Sequence, residues 1–277
     1  MSIPVNYVFI RHSNSNGNAL NSMITSGVIS PQEGNYLIDN VLIDPELSQT
    51  GKQASIINGN VITKTLKEND INFINVIGCS CLLRSMITSY YISRKWEKPP
   101  EKIFVFPHLR EIDENSNNKW SDKSKIEIDK NGAYCMKTLI KQKQTLQKMG
   151  ILHHFNFTFI ESSENLRHSM GDVDNFINWT NQNLLNNIFN KSTVPSFYNF
   201  FVITHAGVLS DYTKTSFSNN TGFILKYIYS THFKHLTRTK FINLRNILEK
   251  DFLFIKEYND KKSININAQE FRKLLKR

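Results

Sequence analysis

Apolar residues along the chain fall into short runs separated by longer amphipathic stretches, and that alternation predicts the fold. Residues 5–10 (VNYVFI) form a continuous apolar run of the length of a buried strand. Polar residues fill 13–18, and a short helix is expected over 16–26. In LIDPELSQTGKQASIINGNVITKTLKE, Ser48 reads as an N-cap, followed by an amphipathic helix to about Glu68. A second apolar strand is expected in INFINVIGCS (71–80), a second helix in LLRSMITSYYISRKW (82–96) and a third strand in KIFVFPHL (102–109). Strand–helix–strand–helix–strand order predicts an α/β fold: a three-layer sandwich whose mostly parallel central sheet carries helices on both faces.

Beyond this the pattern loosens. Residues 112–135 are polar and read as an excursion over the surface. Helices are expected over 133–149 and 164–189. FYNFFVITHAGVLSDY (197–212) holds the most apolar strand of the chain, which ends on Thr204 and His205. FILKYIYS (223–230) and DFLFIKEY (251–258) read as late strands that pair, with a short amphipathic helix as the tail. Neither an internal repeat nor a linker is visible. The expectation is a single domain over 1–277, with 112–170 inserted as a cap or lid.

Composition narrows the function classes. A chain of 277 residues with 40% hydrophobic content supports one sizeable core. The net charge of +10 favours anionic partners. The basic residues are scattered, with clusters only at 137–148, 234–245 and the terminal FRKLLKR, so a solvated basic surface is preferred over a nucleic-acid interface. Three cysteines do not make a disulfide framework; Cys79 and Cys81 lie in an apolar segment and read as reduced core residues. The N-terminus turns polar too soon for a signal peptide, and no run approaches the roughly 20 apolar residues of a membrane span. A cytoplasmic protein without a membrane partner is expected.

The candidate chemistry lies at strand ends. Ile10-Arg11-His12 and Ile203-Thr204-His205 both finish a strand on a histidine. In open α/β sheets ligands bind beyond the carboxyl ends of the strands, so the two imidazoles are placed to face each other. Arg84 follows the second strand, near the start of a helix. A guanidinium offers a planar fork that matches phosphate oxygens, and helix N-termini at the same edge add free N–H groups. Two arginines and two histidines there make a site for a dianion.

These residues sit in segments that resemble the histidine phosphatase superfamily, the phosphoglycerate mutase-like proteins. RHSNSNGN is similar to R-H-G-x-S-x-x-N, with Arg11, His12, Ser15 and Asn18 matching and Ser13 in place of Gly. DPELSQTGKQA (44–54) resembles D-x-x-L-[ST]-x-x-G-x-x-Q-A, with Gln53 one position early. CSCLLRSMITS resembles S-x-L-x-R-A-x-Q-T-A through Ser80, Leu82, Arg84 and Thr88, and LREI (109–112) resembles the segment that carries the family's acid. ITHAGVLSDY is similar to the S-H-G-G motif with Ala206 for the first Gly, and ESSENLRHSM is a weaker echo with Ser169 where Arg is usual. The match runs over about 5–230, with the motifs in the family's order.

The resemblance implies a phosphomonoester hydrolase acting through a phosphohistidine intermediate, with no metal and no cofactor. His12 would be the nucleophile; Arg11, Arg84 and His205 would bind the phosphoryl oxygens; Ser15, Asn18 and Ala206 would line the substrate site; and Glu111 would serve as acid and then base. Asp113 and Glu114 are rival acids. The substrate would be a phosphorylated small molecule or a phosphoprotein. Lys119, Lys123, Lys125 and Lys130 in the lid would meet a second anionic group. The alternatives are a phosphoglycerate-type phosphomutase and a non-catalytic phosphate-binding module, which Ser13 and Ala206 keep open. His153-His154 reads as no metal pair, since adjacent helical residues point about 100° apart. His168, His232 and His235 read as surface residues, and Trp96, Trp120 and Trp179 as packing.

Overall fold

The structure is a computed structural model that describes residues 1–40, 42, 44–112, 136–161, 171–190 and 195–245. In chain order its elements are β1 (Ser2–Arg11), α1 (Asn16–Thr25), α2 (Pro31–Asn40), α3 (Gln49–Glu68), β2 (Val76–Ser80), α4 (Leu83–Ser93), β3 (Ile103–Phe106), α5 (Met136–Lys148), β4 (Phe155–Asn156), α6 (Thr158–Glu161), α7 (Val173–Thr180), α8 (Asn186–Phe189), β5 (Tyr198–Thr204), α9 (Ala206–Thr213), β6 (Gly222–Ser230) and β7 (His235–Asn243). The seven strands form one sheet in the order β4-β3-β2-β5-β1-β6-β7. The five strands from β4 to β1 run parallel, and β6 and β7 add antiparallel at the far edge.

Side chains on a strand alternate between faces, and β1 shows the consequence. Val8 and Ile10 enter a core with Ile62, Leu66, Met86 and Ile87 of α3 and α4. Tyr7 and Phe9 enter a second core with Phe176 and Ile177 of α7 and Leu209 of α9. Both faces of the sheet are therefore covered, as the sequence pattern predicts, and its central strands are buried on both sides.

Several elements differ from the sequence expectation. The third strand stops at Phe106 because Pro107 supplies no N–H for the ladder and opens a 3₁₀ turn, Pro107–Leu109. The strand expected over 71–80 covers only Val76–Ser80. β6 does not take 251–258 as its partner: β1 holds one edge and β7 the other, and 251–258 lies outside the described residues. β7 was hidden in what reads as a basic cluster, since seven of its nine positions are exposed and only Leu236 is buried. Within the segment expected as an inserted cap, Leu146, Ile151, Phe155 and Phe157 join the main core and β4 extends the sheet. Residues 113–135 and 162–170 of that segment lie outside the described residues, as do Asp113, Glu114, the four lid lysines, Trp120, Cys135, His168, Ser169 and the C-terminal tail.

Candidate active site

The register of the sheet brings the two histidines together. β1 and β5 pair in parallel with Arg11 opposite Thr204, so His12 and His205 leave the same rung side by side. The His12 N–H donates to the Thr204 carbonyl at 2.9 Å. The ring centroids stand 5.0 Å apart at 59°. Both side chains are buried, at 3% and 0% exposure.

Each ring is held by one nitrogen. His12 Nδ1 lies 2.6 Å from the Ser13 carbonyl, which can only accept, so Nδ1 carries the proton and Nε2 keeps its lone pair. Arg84 donates its Nε–H to that Nε2 at 3.2 Å. His205 Nε2 lies 2.7 Å from Ser80 Oγ. That hydroxyl also accepts from the Leu82 N–H at 3.3 Å and keeps a second lone pair as well as its own proton, so the direction of its bond to Nε2 follows the tautomer of His205. With Ser80 as the donor, Nδ1 of His205 carries the ring proton. It is buried with no hydrogen-bond partner among the described residues and points toward Glu111 Oε2, 4.0 Å away.

The electrostatics favour an anion. Burial pushes His12 well below the ordinary imidazole range, and the Arg84 and Arg11 guanidinium groups push it further. His205 is lowered well below the same range by burial, then by Arg84, His12, Arg11 and Arg110. Both rings are therefore neutral at pH 7, and the positive charge of the site resides on arginine. Arg11 spends Nη1 on the Phe217 carbonyl at 2.7 Å, while its buried Nε has no hydrogen-bond partner among the described residues. Arg84, 3% exposed in the first turn of α4, has Nη1 4.0 Å from Asp44 Oδ1. An unpaired buried donor costs free energy unless a ligand satisfies it. Arg11 Nε is such a donor at this strand edge, and His205 Nδ1 is a second in the tautomer that accepts from Ser80.

Glu111 lies at the rim of this group. Burial raises its carboxyl above the usual range, against the opposing pull of the Ile112 N–H, Arg84, Arg11 and the Gly207 N–H. Oε1 accepts from the Ile112 N–H at 3.1 Å. A Cβ at Gly207 would overlap that oxygen, so the carboxyl can occupy its place only because residue 207 has no side chain. Thr204 Oγ1 donates to the Leu109 carbonyl at 2.8 Å and ties the end of β5 to the turn that carries Glu111.

The remaining sequence candidates take different positions. Ser15 is buried as the N-cap of α1: its hydroxyl accepts from the Asn18 N–H at 3.1 Å, and its backbone N–H donates to Asn18 Oδ1 at 3.2 Å, closing a capping box; the hydroxyl also donates to Asn18 Oδ1 at 3.1 Å. Asn18 Oδ1 is thus engaged, which leaves the Nδ2 of Asn18 as its donor. Ala206 opens α9 directly after His205, where the first N–H groups and the positive end of the helix lie. Ser13 turns its hydroxyl away from the histidines; it donates to the Gly51 carbonyl at 2.9 Å and accepts from Asn220 Nδ2 at 3.0 Å. α3 can approach this closely because a Cβ at Gly51 would overlap the Asn14 carbonyl.

Four supporting residues were not singled out from sequence. Ser80 fixes His205, and Asn219 Nδ2 donates to the His12 carbonyl at 2.8 Å. Asp44 and Gln142 stand behind Arg84, with Gln142 Nε2 donating to Asp44 Oδ2 at 2.7 Å. Ser80 and Asp44 fall inside quoted motifs, which was the available signal. Asn219 and Gln142 lie in polar stretches where neighbouring asparagines and glutamines look equivalent. A cavity of about 360 Å³ is lined by Leu66, Lys67, Phe73, Lys95, Trp96 and Lys98, none of them a residue of this group.

No family model and no curated protein sequence matches the chain. Solved structures do. A phosphoserine phosphatase from Entamoeba histolytica in complex with 3-phosphoglyceric acid is similar over 86% of this chain and 97% of its own, at 16% identity and a TM-score of 0.35. The protein histidine phosphatase SixA complexed with tungstate is similar over 88% and 99%, at 12% identity and a TM-score of 0.36. The phosphoglycerate mutase from Plasmodium falciparum is similar over 86% and 90%, at 12% identity and a TM-score of 0.32. These neighbours are members of the histidine phosphatase superfamily. At such identities and scores they carry no residue's role to this chain. Among the described residues, no helix is long and apolar enough to cross a membrane.

Proposed function

We propose that the chain is a phosphomonoester hydrolase of the histidine phosphatase type, with His12 as nucleophile. The observation that carries this reading is the pairing of an unprotonated, buried His12 Nε2 with arginine and imidazole donors on one rung of the sheet. A phosphoryl group entering there displaces the Arg84 hydrogen bond from Nε2. Arg11, Arg84 and His205 Nδ1 then face its three outer oxygens and stabilise the charge of the transition state.

In the first step the Nε2 lone pair forms a bond to phosphorus while the bond to the leaving oxygen breaks. The Glu111 carboxyl, whose raised pKa favours the protonated form, gives its proton to that oxygen. In the second step the resulting carboxylate takes a proton from water. The water oxygen bonds to phosphorus, the P–N bond breaks, and Nε2 recovers its lone pair. Asn18 Nδ2 and the Ala206 N–H at the start of α9 are the further donors of the substrate site. No cofactor and no metal take part in this scheme. The Ser13 hydroxyl is satisfied by Gly51 and Asn220, so the serine that replaces glycine need not crowd a phosphoryl group.

The test is hydrolysis of p-nitrophenyl phosphate between pH 5 and 8 by the wild type and His12→Ala. Wild-type turnover that the variant lacks is expected; equal rates would remove the hydrolase reading. Rapid isomerisation of 3-phosphoglycerate that needs a bisphosphorylated primer, with little ester hydrolysis, would replace it with the mutase reading.

A further inference from the structure

Behind the phosphoryl clamp lies a polar link that the mechanism above does not use. Asp44 is 7% exposed and holds φ at 44°, in the left-handed region that aspartate tolerates better than most residues. Its carboxylate accepts the Leu83 N–H at 3.0 and 3.3 Å, at the start of α4. It stands 4.0 Å from Arg84 Nη1, and Oδ2 accepts from Gln142 Nε2 at 2.7 Å. Gln142, 2% exposed, gives its second amide proton to the Cys81 carbonyl at 3.0 Å. One turn further along α5, Leu146 anchors the helix in the core. Arg84 completes the path by donating Nε–H to His12 Nε2.

The arrangement has a physical purpose. A guanidinium on a long side chain has many rotamers, and its use as a clamp depends on holding one of them. The Asp44 carboxylate draws one end of the fork, Nη1, and so leaves Nε–H turned to His12. Gln142 fixes that carboxylate in turn, and it does so entirely as a donor: both its amide protons are used, while Oε1 has no hydrogen-bond partner among the described residues. A buried amide oxygen left unsatisfied is a cost accepted for the position of the amide nitrogen.

We propose that Asp44 and Gln142 are positioning residues that set the guanidinium of Arg84 over the attacking nitrogen, so that the docking of α5 governs the alignment of the phosphoryl clamp. This rests on the hydrolase reading for its kinetic consequence, but not for its structural one. The test compares wild type, Gln142→Leu, Asp44→Asn and the double variant by kcat and KM for p-nitrophenyl phosphate, by thermal unfolding, and by the ¹⁵N–¹H resonance of Arg84 Nε–H in the ligand-free protein.

Gln142→Leu is expected to lower kcat about tenfold and Asp44→Asn about thirtyfold, with KM within about twofold, because misalignment penalises the transition state more than the bound ester. The double variant falls no further than Asp44→Asn alone, since both act through one path. The Arg84 resonance shifts in all three. If Gln142→Leu does not fold, Gln142→Asn, which shortens the donor by one methylene, gives the same readouts. A Gln142 variant with a lower melting temperature but unchanged kcat, KM and Arg84 resonance overturns the proposal. Should wild type and His12→Ala be equally inactive, the hydrolase reading falls, and the Arg84 resonance alone still decides the positioning link: it moves if the link holds and stays if it does not.

Discussion

Among the described residues two pairs of histidines have neighbouring rings, and the two settings differ. His153 and His154 have ring centroids 4.0 Å apart, closer than the 5.0 Å of His12 and His205. They are adjacent in sequence and sit in a 3₁₀ turn with His153 exposed and His154 half-buried beside Tyr90, neighboured by Lys102 and Arg94. His12 and His205 come from opposite ends of the chain, and only the strand register joins them. His12 has both ring nitrogens bonded and His205 one, and burial first, then the neighbouring arginines, lowers both pKa values. What separates a site from a coincidence is therefore a fixed tautomer in a dry, cationic setting, and not the distance between rings.

The largest effect that could break this contrast is on turnover. His12→Ala is expected to lower kcat by at least about 1,000-fold, as loss of a nucleophile does, while His153→Ala and His154→Ala stay within about twofold. Comparable losses from both pairs would mean that proximity alone matters. Next in size, Arg84→Ala is expected to cost about 100- to 1,000-fold in kcat, the range for removal of a preorganised donor, whereas Arg94→Ala beside His154 leaves kcat unchanged.

Smaller effects appear in stability against pH. The two buried histidines have folded pKa values below their unfolded ones, so the unfolded chain binds more protons under pH 6.5. Their contribution is complete above that pH and is lost as pH falls. Glu111 has the opposite sign: its raised pKa contributes stability at low pH that is lost as pH rises through the folded value. In Glu111→Gln, which removes the opposing group, unfolding free energy should fall as pH is lowered from 7.5 to 5.5, because the unfolded chain takes up protons that the two buried rings refuse. His12→Asn in that background should make the drop smaller; denaturant unfolding at both pH values checks it. Smallest of all, Glu111→Gln should be more stable than wild type at pH 8, while losing turnover, because it removes a carboxylate that burial penalises. A less stable variant at pH 8 would show that the arginines, and not burial, dominate the Glu111 environment.

The same physical contrast explains what the sequence disclosed. β1, β2 and β5 are apolar on both faces because the sheet is covered twice, so they stand out as runs, and the residues just past their ends could be named as candidates. Histidine and arginine at those ends are conspicuous. β7 and α2 escaped because edge and surface elements carry few buried residues, and their composition resembles loop. Gln142 escaped for another reason: in KQKQTLQK nothing local distinguishes it from Gln144 or Gln147, and only the tertiary contact with Asp44 does. Ser15 illustrates the limit of motif position, since its place in the motif matches while its hydroxyl is taken up by the helix cap.

The most direct measurement is capture of the phosphorylated protein. After brief incubation with ³²P-labelled phosphate ester and an alkaline quench, the account predicts label on His12 that is stable to base, released by acid, and absent from His12→Ala. Label retained in His12→Ala, or ester hydrolysis by the wild type with no labelled histidine at any time, would contradict it.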